Sequence, residues 1–206
     1  LSSIAGRLRV GLLGRYGANA YSMLVRSKFL HDLGPALAPA SAAALLQGIE
    51  TLHVRAAHVA RTVLTLADAL AAHPAVARIH HVSRPEHPQH ALAASAYPEG
   101  TGCILGVELV GEALVAPVID GLRLVTLAAN IGDARTLVAH PATMTHCRLT
   151  DEQLRAAGIP RSLLRLSVGL EDPRDLAADL IQSLDAAWVA SLSHAAPAPT
   201  SQEETA

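Results

Sequence analysis

The chain is poor in the residues from which large cores and nucleic-acid surfaces are usually built. Of 206 residues only five are aromatic and only one, Lys28, is a lysine. Without aromatics the core must be made of Ala, Leu and Val, and with half the chain hydrophobic and 17% charged there is enough material to make it. Fifteen scattered arginines and Lys28 against 18 acidic residues give a net charge of −2, which argues against nucleic acid or an anionic membrane as the main partner. The two cysteines, Cys103 and Cys147, are too far apart for a metal or redox pair, and with no signal peptide a reducing, cytoplasmic setting is expected. No stretch is apolar for the length of a membrane-spanning helix. A phosphate-binding loop, a dinucleotide fingerprint and a Gly-x-Ser-x-Gly elbow are all missing. The first residue is Leu1, so either an initiator has been lost or the chain begins inside a longer protein.

What is present reads as helix followed by alternating strands and helices. Ala18 to Leu33 has helical spacing and ends at Gly34-Pro35, a glycine cap followed by a residue that cannot continue a helix. From Ser41 to His73 apolar residues recur near the helical period, which predicts one long helix, or two joined near Gly48. Strands are expected at Val76–Val82, Gly102–Leu109, Leu122–Leu127 and Leu163–Val168, with helices at His90–Ala96 and Glu112–Leu122. Thr150-Asp-Glu-Gln153 is a capping box that should start a further helix. Asp172-Pro173 should launch a final helix to about Trp188. The pattern predicts an α/β domain with a small mixed sheet covered by helices on one face.

Polar residues gather in two segments. The first runs Asn130-Ile-Gly-Asp-Ala-Arg-Thr-Leu-Val-Ala-His-Pro-Ala-Thr-Met-Thr-His146, and the second Leu164-Arg-Leu-Ser-Val-Gly-Leu-Glu-Asp172. In the second, strict alternation places Leu164, Leu166 and Val168 on one face and Arg165 and Ser167 on the other. An arginine there can grip a carboxylate with two parallel hydrogen bonds, or it can pair with Glu171 or Asp172 at the sheet rim. Asn130-Ile-Gly-Asp133 is turn chemistry, able either to face a ligand or simply to close a strand. His140 and His146, and the cluster His80, His81, His87 and His90, read as loop histidines; metal binding is the other reading, but no set of ligands is specified.

The ordered motifs resemble one family. They are His31-Asp-Leu-Gly34, Leu45-Leu-Gln-Gly-Ile-Glu-Thr-Leu52, His87-Pro-Gln-His90 and the two polar segments. Together they resemble the C-terminal portion of the Cys/Met-metabolism enzymes that use pyridoxal phosphate, over roughly residues 20–190. Asn130 followed by Gly-Asp-Ala is similar to the O-acetylhomoserine sulfhydrylase branch, whereas Ala40 and Ala43 stand where that branch usually carries aromatics. The resemblance implies the small C-terminal domain of a fold-type-I transferase, preceded by a long helix. Its parts would be residues 1–38 as the end of a large cofactor domain, 39–74 as a connecting helix, 75–190 as the substrate-binding domain and 191–206 as a disordered tail. It also implies a small amino-acid substrate, an assembly of identical copies (typically four), Arg165 holding the substrate's α-carboxylate and Asn130 beside it. The cofactor's Schiff-base lysine belongs to a Ser-x-Thr-Lys type motif, which this chain lacks, and Lys28 in Val25-Arg-Ser-Lys-Phe29 does not match it. The implied activity is replacement of the acetoxy group of O-acetylhomoserine by sulfide or a thiol, with this chain alone inactive. A γ-synthase or γ-lyase relative, or a non-catalytic truncated domain, remain alternatives.

Overall fold

The computed structural model describes residue 11 and residues 13–195, and divides them into two units at the bond between Glu50 and Thr51. The predicted tail lies outside the described residues from residue 196 onward.

The first unit is helical. A 3-10 turn at Gly17–Asn19 leads through α1 (Ala20–Leu24), a π-helical turn at Val25–Leu30 and α2 (His31–Leu33) to Gly34, whose φ of 57° ends the run in the left-handed region. After it comes α3 (Pro39–Glu50), none of whose residues is buried. The predicted Ser41–His73 helix is thus two helices, and the break falls at Thr51 rather than at Gly48. Thr51 leaves helical geometry with φ −104° and ψ 2°, whereas Gly48 stays helical. A glycine costs only about 1 kcal/mol in a helix interior, so neighbouring structure readily overrides it.

The second unit is the mixed α/β domain. Its elements are α4 (Leu52–Ala71), β1 (Val76–His80), α5 (His90–Ala96), β2 (Ile104–Leu109), a 3-10 turn at Glu112–Leu114, α6 (Val115–Gly121), β3 (Thr126–Leu127), β4 (Leu137–Ala139), α7 (Asp151–Ala156), β5 (Leu163–Ser167) and α8 (Pro173–Ala195). The five strands lie in the order β1-β2-β5-β4-β3, antiparallel except for the parallel β3–β4 pair.

Alternation decides which face is covered. Leu105, Val107 and Leu109 of β2 and Leu164 and Leu166 of β5 point into a core shared with Val63, Leu66 and Leu70 of α4, Val118 of α6 and Leu176, Leu180 and Leu184 of α8. Each fully buried leucine contributes roughly 1.5–3 kcal/mol. The Thr150 capping box forms in both directions, with the Thr150 N–H donating to Gln153 Oε1 at 2.9 Å and the Gln153 N–H to Thr150 Oγ1 at 3.3 Å. At the head of α8, Asp172 accepts from the Arg174 N–H and its guanidinium, which holds the Asp172 carboxyl at about 2.

The predicted Leu122–Leu127 strand shrinks to two residues for a physical reason. The N–H groups of Arg123, Leu124 and Val125 donate to the buried carboxylate of Asp179 on α8, at 2.9, 2.9 and 3.0 Å, instead of to a strand partner. The strand that the sequence does not announce is β4, only three residues long but wholly buried.

Candidate functional site

Arg165 sits in the middle of β5, on the face opposite the helical core. Its cross-strand neighbours are Gly106 of β2 and Ala139 of β4. Two of the smallest residues therefore flank Arg165 on the neighbouring strands. Two residues along, on the same face, buried Ser167 accepts a hydrogen bond from the Gly132 N–H at 3.3 Å and lies 3.9 Å from the Cys103 Sγ. That contact brings the Asn130–Asp133 turn to the Arg165 side of the sheet.

The turn is built from its own residues. Gly132 has φ 81°, a left-handed conformation that a side chain would strain. Asn130 Oδ1 accepts from the Ile131 N–H at 2.9 Å, and Asp133 Oδ1 from the Arg135 N–H at 3.0 Å. The latter bond is the main cause of the lowered Asp133 carboxyl pKa.

Beyond the turn the chain is clamped to the end of β5. The Thr136 N–H and hydroxyl donate to the two carboxylate oxygens of Glu171, each at 2.7 Å, and the Gly169 N–H donates to Thr136 Oγ1 at 2.9 Å. A further bond joins the Leu170 N–H to the Ala134 carbonyl at 2.8 Å. A Cβ on Gly169 would come within 2.4 Å of that carbonyl oxygen, so only glycine lets the two segments meet.

This clamp decides what Arg165 can pair with. The two carboxylates that follow it in its own segment are engaged elsewhere, Glu171 by Thr136 and Asp172 by Arg174. Among the described residues the Arg165 guanidinium has no ion-pair partner, and its Nε is buried without a hydrogen-bond acceptor. A buried, unsatisfied donor costs about 1–3 kcal/mol, more if charged, and points to an acceptor supplied from outside. A carboxylate matches the planar fork of the guanidinium.

The nearby concave space is a cleft of about 210 Å³ lined by Leu52, Arg55, Cys103, Asp133, Val168 and Leu170 among others. Arg165 does not line it; the cleft adjoins the turn and Cys103.

The histidines have local partners. His140 is buried, with its ring nitrogens bonded to the Thr143 hydroxyl and the Arg161 carbonyl, both at 2.8 Å. His81 contacts Ser83 and Thr101, and burial lowers its pKa. His90 meets the Val82 carbonyl and His80 meets Glu108. Among the described residues no three His, Cys, Asp or Glu side chains gather into a possible metal site.

The family profile described as Cys/Met metabolism PLP-dependent enzyme matches residues 8–185. The chain belongs to that family. It is 40% identical over 159 residues to an O-succinylhomoserine sulfhydrylase of Pseudomonas aeruginosa, covering 77% of this chain and 39% of the relative. It is 38% identical over 167 residues to an O-acetyl-L-homoserine sulfhydrylase of Leptospira meyeri, covering 80% of this chain and 38% of the relative. A Campylobacter jejuni structure, described as an O-acetylhomoserine (thiol)-lyase with N'-pyridoxyl-lysine-5'-monophosphate, superposes with a TM-score of 0.72 at 35% identity, over 80% of this chain and 39% of that one. A cystathionine γ-synthase from Xanthomonas oryzae, in complex with aminoacrylate and cysteine, gives 0.72 at 38% identity, over 84% of this chain and 44% of that one. The mixed α/β fold is therefore that of part of a PLP-dependent enzyme, and the chain spans about two-fifths of the length of the curated relatives it matches.

The family depends on pyridoxal phosphate, but the one lysine among the described residues is not placed to hold it. The single lysine, Lys28, is 60% exposed and ion-paired to Asp32 at 2.6 Å on the helical first unit. Residues 51–195 contain no side-chain amine that could form a Schiff base.

Proposed function

We propose that this chain is the substrate-carboxylate-binding part of an O-acetylhomoserine sulfhydrylase-like enzyme, with Arg165 holding the amino acid's α-carboxylate and the Asn130 turn forming one wall of the site. The complete enzyme replaces the acetoxy group at Cγ of O-acetylhomoserine by sulfide or a thiol, with acetate leaving. Pyridoxal phosphate, where bound, supplies the electron sink for negative charge at Cα and Cβ. Arg165 contributes position, not proton transfer: a two-pronged bond to the carboxylate fixes the amino acid's orientation relative to whatever reacts with it.

The observation that carries this reading is the buried, partnerless Arg165 Nε, left so because Glu171 and Asp172 are engaged by other residues. The relatives support the substrate class, since both O-acetyl and O-succinylhomoserine sulfhydrylases lie at 38–40% identity. Because the chain's one lysine is exposed and paired with Asp32, the chain alone is inactive; pyridoxal phosphate added to it should be removed by gel filtration, leaving no visible absorbance on the protein. The exposed Phe29, Leu33, Leu46 and Ile49 of the helical unit support association with other copies, and the unpaired Cys103 and Cys147 suit the reducing cytoplasm.

The test is chemical protection of Arg165. Phenylglyoxal labelling followed by peptide mapping should show Arg165 protected by O-acetyl-L-homoserine, but not by its methyl ester, which has no carboxylate. Equal protection by acid and ester would remove Arg165 from the substrate site.

A further inference from the structure

The face of the sheet opposite the helical core carries a competitor for Arg165. On this face β1 presents Arg78 and His80, β2 presents Gly106 and Glu108, and β5 presents Leu163 and Arg165. Gly106 lies directly between His80 on one side and Arg165 on the other, and Glu108 is the diagonal neighbour of both. Diagonal neighbours lie roughly 7–8 Å apart at the backbone, within reach of long side chains. Among the described strand residues of this face Glu108 is the one carboxylate.

Glu108 is turned toward β1. Its Oε2 accepts from His80 Nε2 at 2.7 Å, and Arg78 stands directly opposite it in the register. Both partners are partly shielded, with His80 37% and Glu108 25% exposed, so this contact is screened less than a fully exposed pair. Gly106 helps to hold the arrangement: a Cβ there would lie 3.0 Å from the His80 Cβ, so His80 would have to shift by a few tenths of an ångström. With no side chain at Gly106, nothing on β2 stands between Glu108 and Arg165 except the direction in which Glu108 is drawn.

We propose that His80, backed by Arg78, is a positioning residue for the carboxylate site: by engaging Glu108 on the β1 side it keeps that carboxylate from neutralising Arg165. The inference rests on the reading of Arg165 as the carboxylate-binding residue. It makes Glu108 an internal mimic of the substrate's carboxylate, and its capture by β1 a further reason why Arg165 is left open. Without His80 and Arg78, Arg165 is the remaining cation among the described strand residues of this face.

The experiment uses the full chain and O-acetyl-L-homoserine as probe, with affinity followed by NMR titration and the Arg165 Nε–H resonance recorded without ligand. The Arg78→Leu/His80→Leu variant should bind roughly fivefold more weakly, the scale of a modest ion pair competing for the same guanidinium. Its free Nε–H resonance should shift toward the carboxylate-bound position. Adding Glu108→Gln should restore both the affinity and the resonance, which repair of a merely structural defect would not do. If the double variant binds like the wild type while Arg165→Gln loses binding, the positioning role is overturned and the carboxylate reading stands. A loss that Glu108→Gln does not restore also overturns it. If Arg165→Gln binds as well as the wild type, it is the carboxylate reading that fails.

Discussion

Replacing Glu171 by alanine tests the arrangement that keeps Arg165 unpaired. In the folded chain the Glu171 carboxylate takes two hydrogen bonds from Thr136, a residue with no exposed surface, and nothing else in the clamp can accept the Thr136 N–H. Hydrogen bonds to an ionised acceptor contribute about 1.5–3 kcal/mol each, and a buried N–H left without a partner is itself costly. Because Glu171 is partly exposed, a loss of about 3 kcal/mol is expected, nearer the lower end of the sum. For a domain of this size each kcal/mol shifts the melting temperature by about 2–4 °C, so Glu171→Ala should melt roughly 6–12 °C lower. Thermal unfolding followed by circular dichroism, with urea titration as a check on the slope, measures it. A variant that melts within a degree of the wild type and binds O-acetyl-L-homoserine more tightly would refute the reasoning. That result would mean that Glu171 pairs with Arg165 in solution rather than with Thr136.

Two other predictions concern the frame around the site. Asp179 is 7% exposed; burial alone would raise its carboxyl pKa, but the N–H groups of Val125, Leu124 and Arg123 together with Gln182 outweigh burial and hold it below the ordinary value. Since the folded state binds this proton less readily than the unfolded chain, its contribution is full above the unfolded pKa of about 3.9 and is lost as pH falls through the lower, folded value. Asp179→Asn should cost about 2–3 kcal/mol near neutral pH, because its amide turns a donor toward three donors, and should flatten the acid side of a stability-against-pH curve; an unchanged acid slope would contradict this. Gly169→Ala should cost about 2 kcal/mol, because its Cβ would press on the Ala134 carbonyl and the Thr136 N–H. Hydrogen exchange should then speed up at Leu170 and Gly132, and unaltered protection there would show that the close approach is not needed.

The fold was legible in the sequence wherever periodicity ran long enough to be seen. The alternation from Leu163 and the capping box at Thr150 both fall where the pattern puts them, and helix His90–Ala96 matches residue for residue. What escaped depends on partners distant in sequence. Leu122–Val125 has strand composition, yet the N–H groups of Arg123, Leu124 and Val125 belong to Asp179, more than 50 residues away. Leu137–Ala139 is too short to show a period and becomes a strand because β3 and β5 lie on either side of it. The last helix outruns Trp188 and continues to Ala195.

The candidate site divides in the same way. That Arg165 faces away from Leu164 and Leu166 follows from alternation alone, and the family resemblance points to the same residue. Whether it is free or paired could not be read from the sequence, since Glu171 and Asp172 are both near enough to claim it. The answer lies in Thr136, 35 residues upstream of Glu171, and in Gly169, whose missing side chain lets the two segments meet. Asn130 is plain as a turn residue, but its Oδ1 is committed to the neighbouring backbone, which local sequence does not reveal.

Arg165 as an open carboxylate site is tested most directly by the affinity of wild-type and Arg165→Gln chains for O-acetyl-L-homoserine and for its methyl ester. A two-pronged guanidinium–carboxylate contact contributes about 1.5–3 kcal/mol, so the substitution should weaken binding of the acid by roughly ten- to a hundredfold. Binding of the ester should be weak to both chains and unaltered by the substitution. Equal affinity of the two chains for the acid would contradict the account.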